Sequence, residues 1–380
     1  MSAGSAVHDG ALLAPRDAAD VVEIVARHPR ALEVAGGGSK RAIGRPVDGD
    51  LLDLRALSGI VSYEPAELVL TARAATPLAE ISAALAAHDQ RLAFEPPDLG
   101  RLLGAREMPT LGGVLAANLA GSRRVSAGAA RDHFLGCIAV TGRGELIRAG
   151  GRVVKNVTGY DVPKILAGSW GTLAVLTEVT VRVAPAPEAE RTLVIASRTP
   201  SEAVGVLTAA LGSPHDVSAA AFDPQRGALL RLEGFVASVE ARAVALRDLL
   251  APAAVDALDG DASRALWTEF GAAATLAEHP VVWRVSVPPA DAPRVVAALE
   301  AERYLLDWGG GLILAAYREV DAARVRGAFR EGHATLFKAP RAARLAVATF
   351  QPRPPELTAL AARVKHAFDP NAKLNPQRLD

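Results

Sequence analysis

The 380-residue chain holds one cysteine, Cys137, so it forms no intramolecular disulfide and builds no cysteine-ligated zinc or iron–sulfur site of its own. Cys137 lies in the apolar run Leu135 to Val140, where a buried, inert thiol is expected. Neither sign of charge is in excess, with 42 Lys plus Arg against 42 Asp plus Glu. Nothing therefore argues for nucleic acid or an anionic membrane as main partner, whereas near-zero net charge favours association with protein. Long hydrophobic runs are missing, and Pro15, Arg16 and Asp17 stand where a signal peptide would need an apolar core. The expectation is a cytoplasmic protein with no integral membrane segment. The histidines (His8, His28, His88, His133, His215, His279, His333 and His366) are scattered. No histidine metal site or general base shows at motif level, and surface positions are expected for them.

What is present is globular: half of the residues are hydrophobic and 22% are charged. The length exceeds what one core usually holds, so two domains are expected. Residues 1–14 read as loose. Asp17 to His28 has helical spacing with Pro29 as a stop. Ala31 to Ala35 reads as a strand that runs into Gly36-Gly37-Gly38-Ser39-Lys40. Consecutive amides of such a loop form a concave nest for a phosphate; a plain flexible turn is the alternative. The Walker spacing is absent, and no helix follows to make a dinucleotide fingerprint. Short strands are expected at 51–54, 59–63, 68–72 and 91–94, and a helix from Pro77 to Ala87.

The stretch Pro109-Thr110-Leu111-Gly112-Gly113-Val114-Leu115-Ala116-Ala117-Asn118-Leu119-Ala120-Gly121 is small and glycine-punctuated, with Arg123, Arg124, Arg131 and Asp132 just beyond. A helix beginning near Leu111 would aim free N–H groups at a phosphate, or else would pack its small side chains at a close crossing. Some 70 residues separate it from the glycine loop, too many for one βαβ unit, which weighs against a Rossmann fold. A hairpin is expected across Gly142-Arg143-Gly144, a polar loop over a ligand at 153–161, and a strand at 179–183. Residues 190–337 then run strand 191–198, helix 201–211, strands 217–222 and 228–235, helix 237–250, a strand near 255 and a helix at 262–276. The order repeats with strand 281–287, helix 292–301, strands 304–308 and 312–317, helix 321–331 and a strand near 335. Each set reads as βαββαβ, and two side by side would make one antiparallel sheet with helices on one face. A tail helix at 355–367 leads to Asp369-Pro370-Asn371 and Leu374-Asn375-Pro376, a fixed terminus.

In this order the segments 36–40, 109–121, 131–133, 155–161, 171–178 and the tail resemble the p-cresol methylhydroxylase-type FAD-binding fold of the vanillyl-alcohol oxidase superfamily. More closely, they resemble the FAD-binding E subunits of bacterial glycolate oxidases. The resemblance implies an α+β chain: an FAD-binding domain (1–187), a cap of two ferredoxin-like units (188–340) and a tail (341–380) that returns to the first domain. It implies that Gly36, Gly37, Gly38, Ser39 and Lys40 hold the FAD pyrophosphate. Pro109, Thr110, Gly112, Gly113, Ala116, Ala117, Asn118 and Gly121 would line the flavin and ribityl chain. Arg131 and Asp132 would orient the loop beside it, unless Asp132 only caps a turn. Gly171, Thr172, Ala174, Val175 and Leu176 would pass along the adenosine, with Lys155 and Tyr160 toward the cofactor or an interface.

The departures shape the functional expectation. The first glycine loop has Lys40 and no histidine, so the FAD is expected to be non-covalent. The catalytic dehydrogenases of the superfamily carry Gly-His-x-Gly-Asp-Gly-Asn-x-His and Glu-His-Gly segments, and neither occurs here. The implied role is oxidation of glycolate or another small 2-hydroxy acid within a complex, beside a homologous FAD-containing catalytic subunit and an iron–sulfur subunit. Two alternatives stand: a self-sufficient dehydrogenase in which Arg284, Arg318, Lys338 or Arg341 clamps the carboxylate, or an assembly subunit with a vestigial flavin site. No catalytic residue is identifiable by motif.

Overall fold

The computed structural model describes residues 10–151, 160–251, 253 and 255–380. The chain starts with a small parallel sheet in which Leu12–Leu13 and Leu32–Ala35 flank Asp50–Asp53. Residues 10–14 are thus not loose: Ala11 donates its amide to Asp50 Oδ1 and accepts from the Leu51 amide, which draws Leu12 and Leu13 onto the sheet edge. The helix Ala18–Arg27 is capped by Asp17, whose carboxylate accepts from the Ala19 and Asp20 amides. It buries Val21 and Val25 against Leu32, Leu52, Val140 and Val175. Each such side chain contributes about 1.5–3 kcal/mol.

Next to it stands a five-stranded antiparallel sheet in the order Ile60–Glu64, Val69–Arg73, Ala174–Arg182, Phe134–Thr141 and Leu146–Gly150. The strand expected at 91–94 shrinks to Gln90–Arg91, because Leu92, Ala93 and Phe94 turn into the core. Cys137 is buried in this sheet, and burial pushes its thiol up to about 12. His133 departs from the expected surface position. It is buried, its Nε2 lies 2.7 Å from the Ala127 carbonyl, and its ring packs on Phe94. Of the polar loop expected at 153–161, residues 153–159 lie outside the described residues; Tyr160 is 87% exposed.

The later part of the chain forms one eight-stranded antiparallel sheet. Its order is Val255–Asp259, Ala189–Ile195, Gly227–Gly234, Ala219–Asp223, Arg303–Asp307, Leu312–Tyr317, Val281–Ser286, His333–Lys338. Two βαββαβ units meet at the Phe222–Leu306 pair. The helices Pro200–Leu211, Val236–Leu249, Ala292–Leu299 and Ala322–Gly327 bury their apolar faces on one side of it. The helices are not all on that side. Gly260–Gly271 packs Leu266, Trp267 and Phe270 on the other, within the core that also holds Leu92, Phe94 and Leu102. It stops short of 276 because Ala273 turns left-handed (φ 47°) before a 3-10 turn at Ala274–Leu276.

The tail closes back on the first sheet. Leu374 bridges Leu32, Asn375 donates its amide to the Leu32 carbonyl, and Asn375 Oδ1 accepts from the Val34 amide at 2.9 Å. Asp369 holds this turn by accepting from the Lys373 and Leu374 amides and from Lys365 Nζ.

Candidate functional site

A cleft runs between the parallel sheet and the five-stranded sheet, and it encloses about 720 Å³ of empty space, part of it open to solvent. One wall is the loop after Leu32–Ala35, where Gly36, Gly37, Gly38, Ser39 and Lys40 all face the space. The opposite wall is the helix Leu111–Ala117 through Gly112, Gly113, Ala116 and Ala117, with Thr110 at its cap; Gly171, Ala174 and Leu176 add a third side.

Packing dictates the glycines. A Cβ on Gly37 would stand 1.9 Å from the Met108 carbonyl oxygen, and one on Gly36 would stand 2.6 Å from Thr110 Oγ1. Gly112 meets Ala74 in the same way, so the helix and loop approach at backbone distance. Gly38, at φ 89°, turns the loop.

The donors differ between the two walls. Among the described residues, the amides of Gly36 to Lys40 donate to no protein acceptor, so the loop offers its N–H groups to the cleft. The helix does not. Its first amides are taken by the Thr76 carbonyl, the Ala74 carbonyl and Thr110 Oγ1, which decides for the close crossing over a free helix terminus facing a phosphate.

Two cations flank the free amides. Lys40 is the first. Burial drops its ammonium to about 8; Nζ donates to Ser39 Oγ at 3.1 Å, and no ion pair reaches it among the described residues. Arg378 is the second, nearly fully buried, and burial drops its guanidinium to about 10. Its carboxylate neighbour Glu33 lies 3.8 Å away and already grips Arg41 with both oxygens. Arg378 Nη2 also donates to the Lys40 carbonyl at 2.9 Å, which braces the loop from the tail.

Trp170, Asn375 and Arg378 line the cleft and were missed as site residues. Trp170 (φ 54°) stands beside Gly171 (φ 69°), and its carbonyl accepts from Asn375 Nδ2 at 2.8 Å. The fixed turn at Leu374-Asn375-Pro376 was the available signal.

Other expected residues serve the walls from behind. Pro109 accepts the Leu78 amide. Asn118 turns left-handed at the helix end and accepts the Arg131 amide on Oδ1, while the Arg131 residue is exposed. Asp132 caps a turn by accepting the Ala129 amide. Gly121 packs against the Glu95 carbonyl, Thr172 bonds the Ser169 carbonyl, and Val175 is core.

A second polar cluster lies where the eight-stranded sheet meets the earlier part of the chain. Arg231 forks Glu95 at 2.6 and 2.7 Å under the ring of Trp267. Glu233 pairs with Arg91 and, at 3.0 Å, with Arg123. Burial works to raise the Glu233 carboxyl, but Arg231, Arg123 and Arg91 together outweigh it and hold the group at about 2. Asp307, which accepts from Ser122 Oγ and the Trp308 amide, is raised by burial to about 6.

Residues 10–150 match the FAD binding domain family. The chain is 36% identical over 349 residues to the glycolate oxidase subunit GlcE of Escherichia coli (strain K12), covering 92% of each chain. It belongs to the GlcE family. A glycolate oxidase subunit GlcD of Bacillus subtilis (strain 168) is 29% identical over 188 residues, 48% of this GlcE-family chain and 38% of the relative. Alkyldihydroxyacetonephosphate synthase shares the fold, with a TM-score of 0.69 at 16% identity over 97% of this chain and 77% of its own.

The cleft also suits FAD on its own chemistry. Unused amides beside Lys40, which has no ion pair among the described residues, and Arg378, whose neighbour Glu33 is shared with Arg41, fit a diphosphate, and the glycine and alanine wall admits a flat, long group.

Proposed function

We propose that this chain is the FAD-holding subunit of a complex that oxidises glycolate or a similar small 2-hydroxy acid to the 2-oxo acid. Substrate oxidation is shared with, or carried by, a homologous FAD-containing subunit, and an iron–sulfur subunit takes the electrons. The observation that carries the reading is the row of unused amides at Gly36 to Lys40 between Lys40 and Arg378. FAD, when bound, supplies the two-electron redox chemistry. This chain supplies the binding: the loop amides and both cations take the diphosphate, and Gly112, Gly113, Ala116 and Ala117 let the cofactor lie against the helix. The FAD is non-covalent, since no histidine stands in the loop. The seam between cap and first domain is bridged by Arg231 and Glu95. No helix of the described residues is long and apolar enough to cross a membrane. In this reading the complex is cytoplasmic and meets the inner membrane only through its partners.

The test is an absorption spectrum of the chain purified alone, followed by anaerobic glycolate. Flavin bands that glycolate bleaches only when the partner subunits are added are the expected result. Absence of flavin after reconstitution with FAD sinks the reading, and rapid bleaching of the isolated chain makes it a self-sufficient dehydrogenase.

A further inference from the structure

Of the four basic residues considered for a carboxylate, three are occupied or remote. Arg318 is exposed beside Glu302, Lys338 donates to the Ala277 carbonyl, and Arg341 is exposed on a separate helix. Arg284 differs. It lies on Val281–Ser286, on the sheet face turned toward the first domain, and its guanidinium carbon stands 4.9 Å from the ring centre of Trp308. Arg124 comes to the same ring from the first domain, at 4.7 Å. Among the described residues, neither guanidinium has an ion pair or a side-chain hydrogen bond. The nearby acid, Asp307, is spent on Ser122 and the Trp308 amide. His333, at the edge of the same face, adds a third basic group that both arginines influence.

Two like charges on one ring repel each other, and cation–π attraction to the ring offsets this only in part. The turn that presents the ring is itself strained. Trp308 sits at φ 57°, an outlier for a bulky residue, and is held by its Nε1 donating to the Gly121 carbonyl at 3.1 Å. Gly121 follows the cleft helix closely, and the four residues after Ala117 span at most about 14 Å. The cluster is accessible, since Arg124 and His333 are exposed and Arg284 and Trp308 are half-buried.

We propose that Arg284 and Arg124, set against Trp308, form a carboxylate-binding site for the 2-hydroxy acid or its 2-oxo product. This deepens the reading of the chain as sharing in 2-hydroxy-acid oxidation and rests on it. A carboxylate supplies the missing counter-charge, and a guanidinium matches its two oxygens. The choice of a small acid follows from that reading, and the acidic side chain of a protein partner is the competing outcome of the test.

The experiment titrates oxalate, a non-oxidisable carboxylate of similar size, into the FAD-loaded chain by calorimetry and by tryptophan fluorescence. Saturable binding is expected, with affinity falling at least tenfold in Arg124→Gln and in Arg284→Gln and partly restored in Arg284→Lys. The fluorescence response is expected to vanish in Trp308→Phe. Arg124 is exposed, so its variant keeps the fold even if the Arg284 variants do not. Unchanged affinity in Arg124→Gln, no saturable binding to the natural chain, or binding of an acidic peptide in place of oxalate overturns the proposal. FAD affinity, read separately from flavin fluorescence, distinguishes failure of this site from failure of the cofactor reading.

Discussion

The cofactor cleft and the interdomain seam both bury charge, but they do so in opposite ways. At the Glu95–Glu233 cluster of the seam the cations have their acids: Arg231 forks Glu95, and Arg91 and Arg123 close on Glu233. In the cleft Lys40 has no ion pair among the described residues, and Arg378 has only a distant share of Glu33. A matched set balances its own charge and fastens two parts of a protein. An unmatched set beside unused amides is costly until an anion arrives. The same residue types thus mark a fastener in one place and a binding site in the other.

The sharpest way to break the comparison is to unmatch the seam. Arg231→Met leaves Glu233 and Glu190 buried with less counter-charge and is expected to cost about 3 kcal/mol in urea unfolding. The cost stays at the lower end because the Glu95 side chain is 37% exposed and turns to water. Adding Glu95→Gln should recover part of it. FAD affinity should change little, because Arg231 does not line the cleft.

Asp307 tests the seam by pH. Burial raises its carboxyl to about 6 from an ordinary 3.8, so the folded chain prefers it protonated. Its contribution is present in full below pH about 4, declines as pH rises to about 6, and is flat above that, with a span of up to about 3 kcal/mol. Thermal unfolding of Asp307→Asn should lack this slope. A slope of equal size in the variant would assign the effect elsewhere.

These contrasts were only partly legible in the sequence. The repeated βαββαβ order could be read because strand and helix periods differ, and each unit is built from neighbours in the chain. The glycine loop could be read because three successive glycines and Ser39-Lys40 are a local signal. Arg378 could not. It reaches Lys40 only because Leu374 and Asn375 add to the edge of the first sheet, a pairing across 338 residues. The helix terminus at Leu111 stayed open between two readings for the same reason: its acceptors, Ala74 and Thr76, come from an earlier segment and take amides that local reasoning could not place.

Arg378 therefore deserves a test of its own on the cleft side. Arg378→Gln removes a charge from the cleft and the brace on the Lys40 carbonyl together. It should weaken FAD binding about 30-fold, or about 2 kcal/mol, in a flavin fluorescence titration. Arg378→Lys keeps the charge but not the planar fork and should fall between the two.

Lys40 gives the smallest effect and the finest distinction. Its ammonium, lowered to about 8 by burial, is charged below that pH in the free chain and neutral above it. A bound diphosphate favours the charged form, so FAD affinity should be constant below pH about 8 and weaken as pH rises beyond it, by up to tenfold per unit. Lys40→Gln should lose about tenfold in affinity at neutral pH, about 1.4 kcal/mol, and should lose the pH dependence as well. A matched cation in the seam cannot behave this way, because its acid already holds its proton in place. If the variant keeps the same pH profile, Lys40 does not face the diphosphate, and the unused loop amides carry the anion with Arg378 alone.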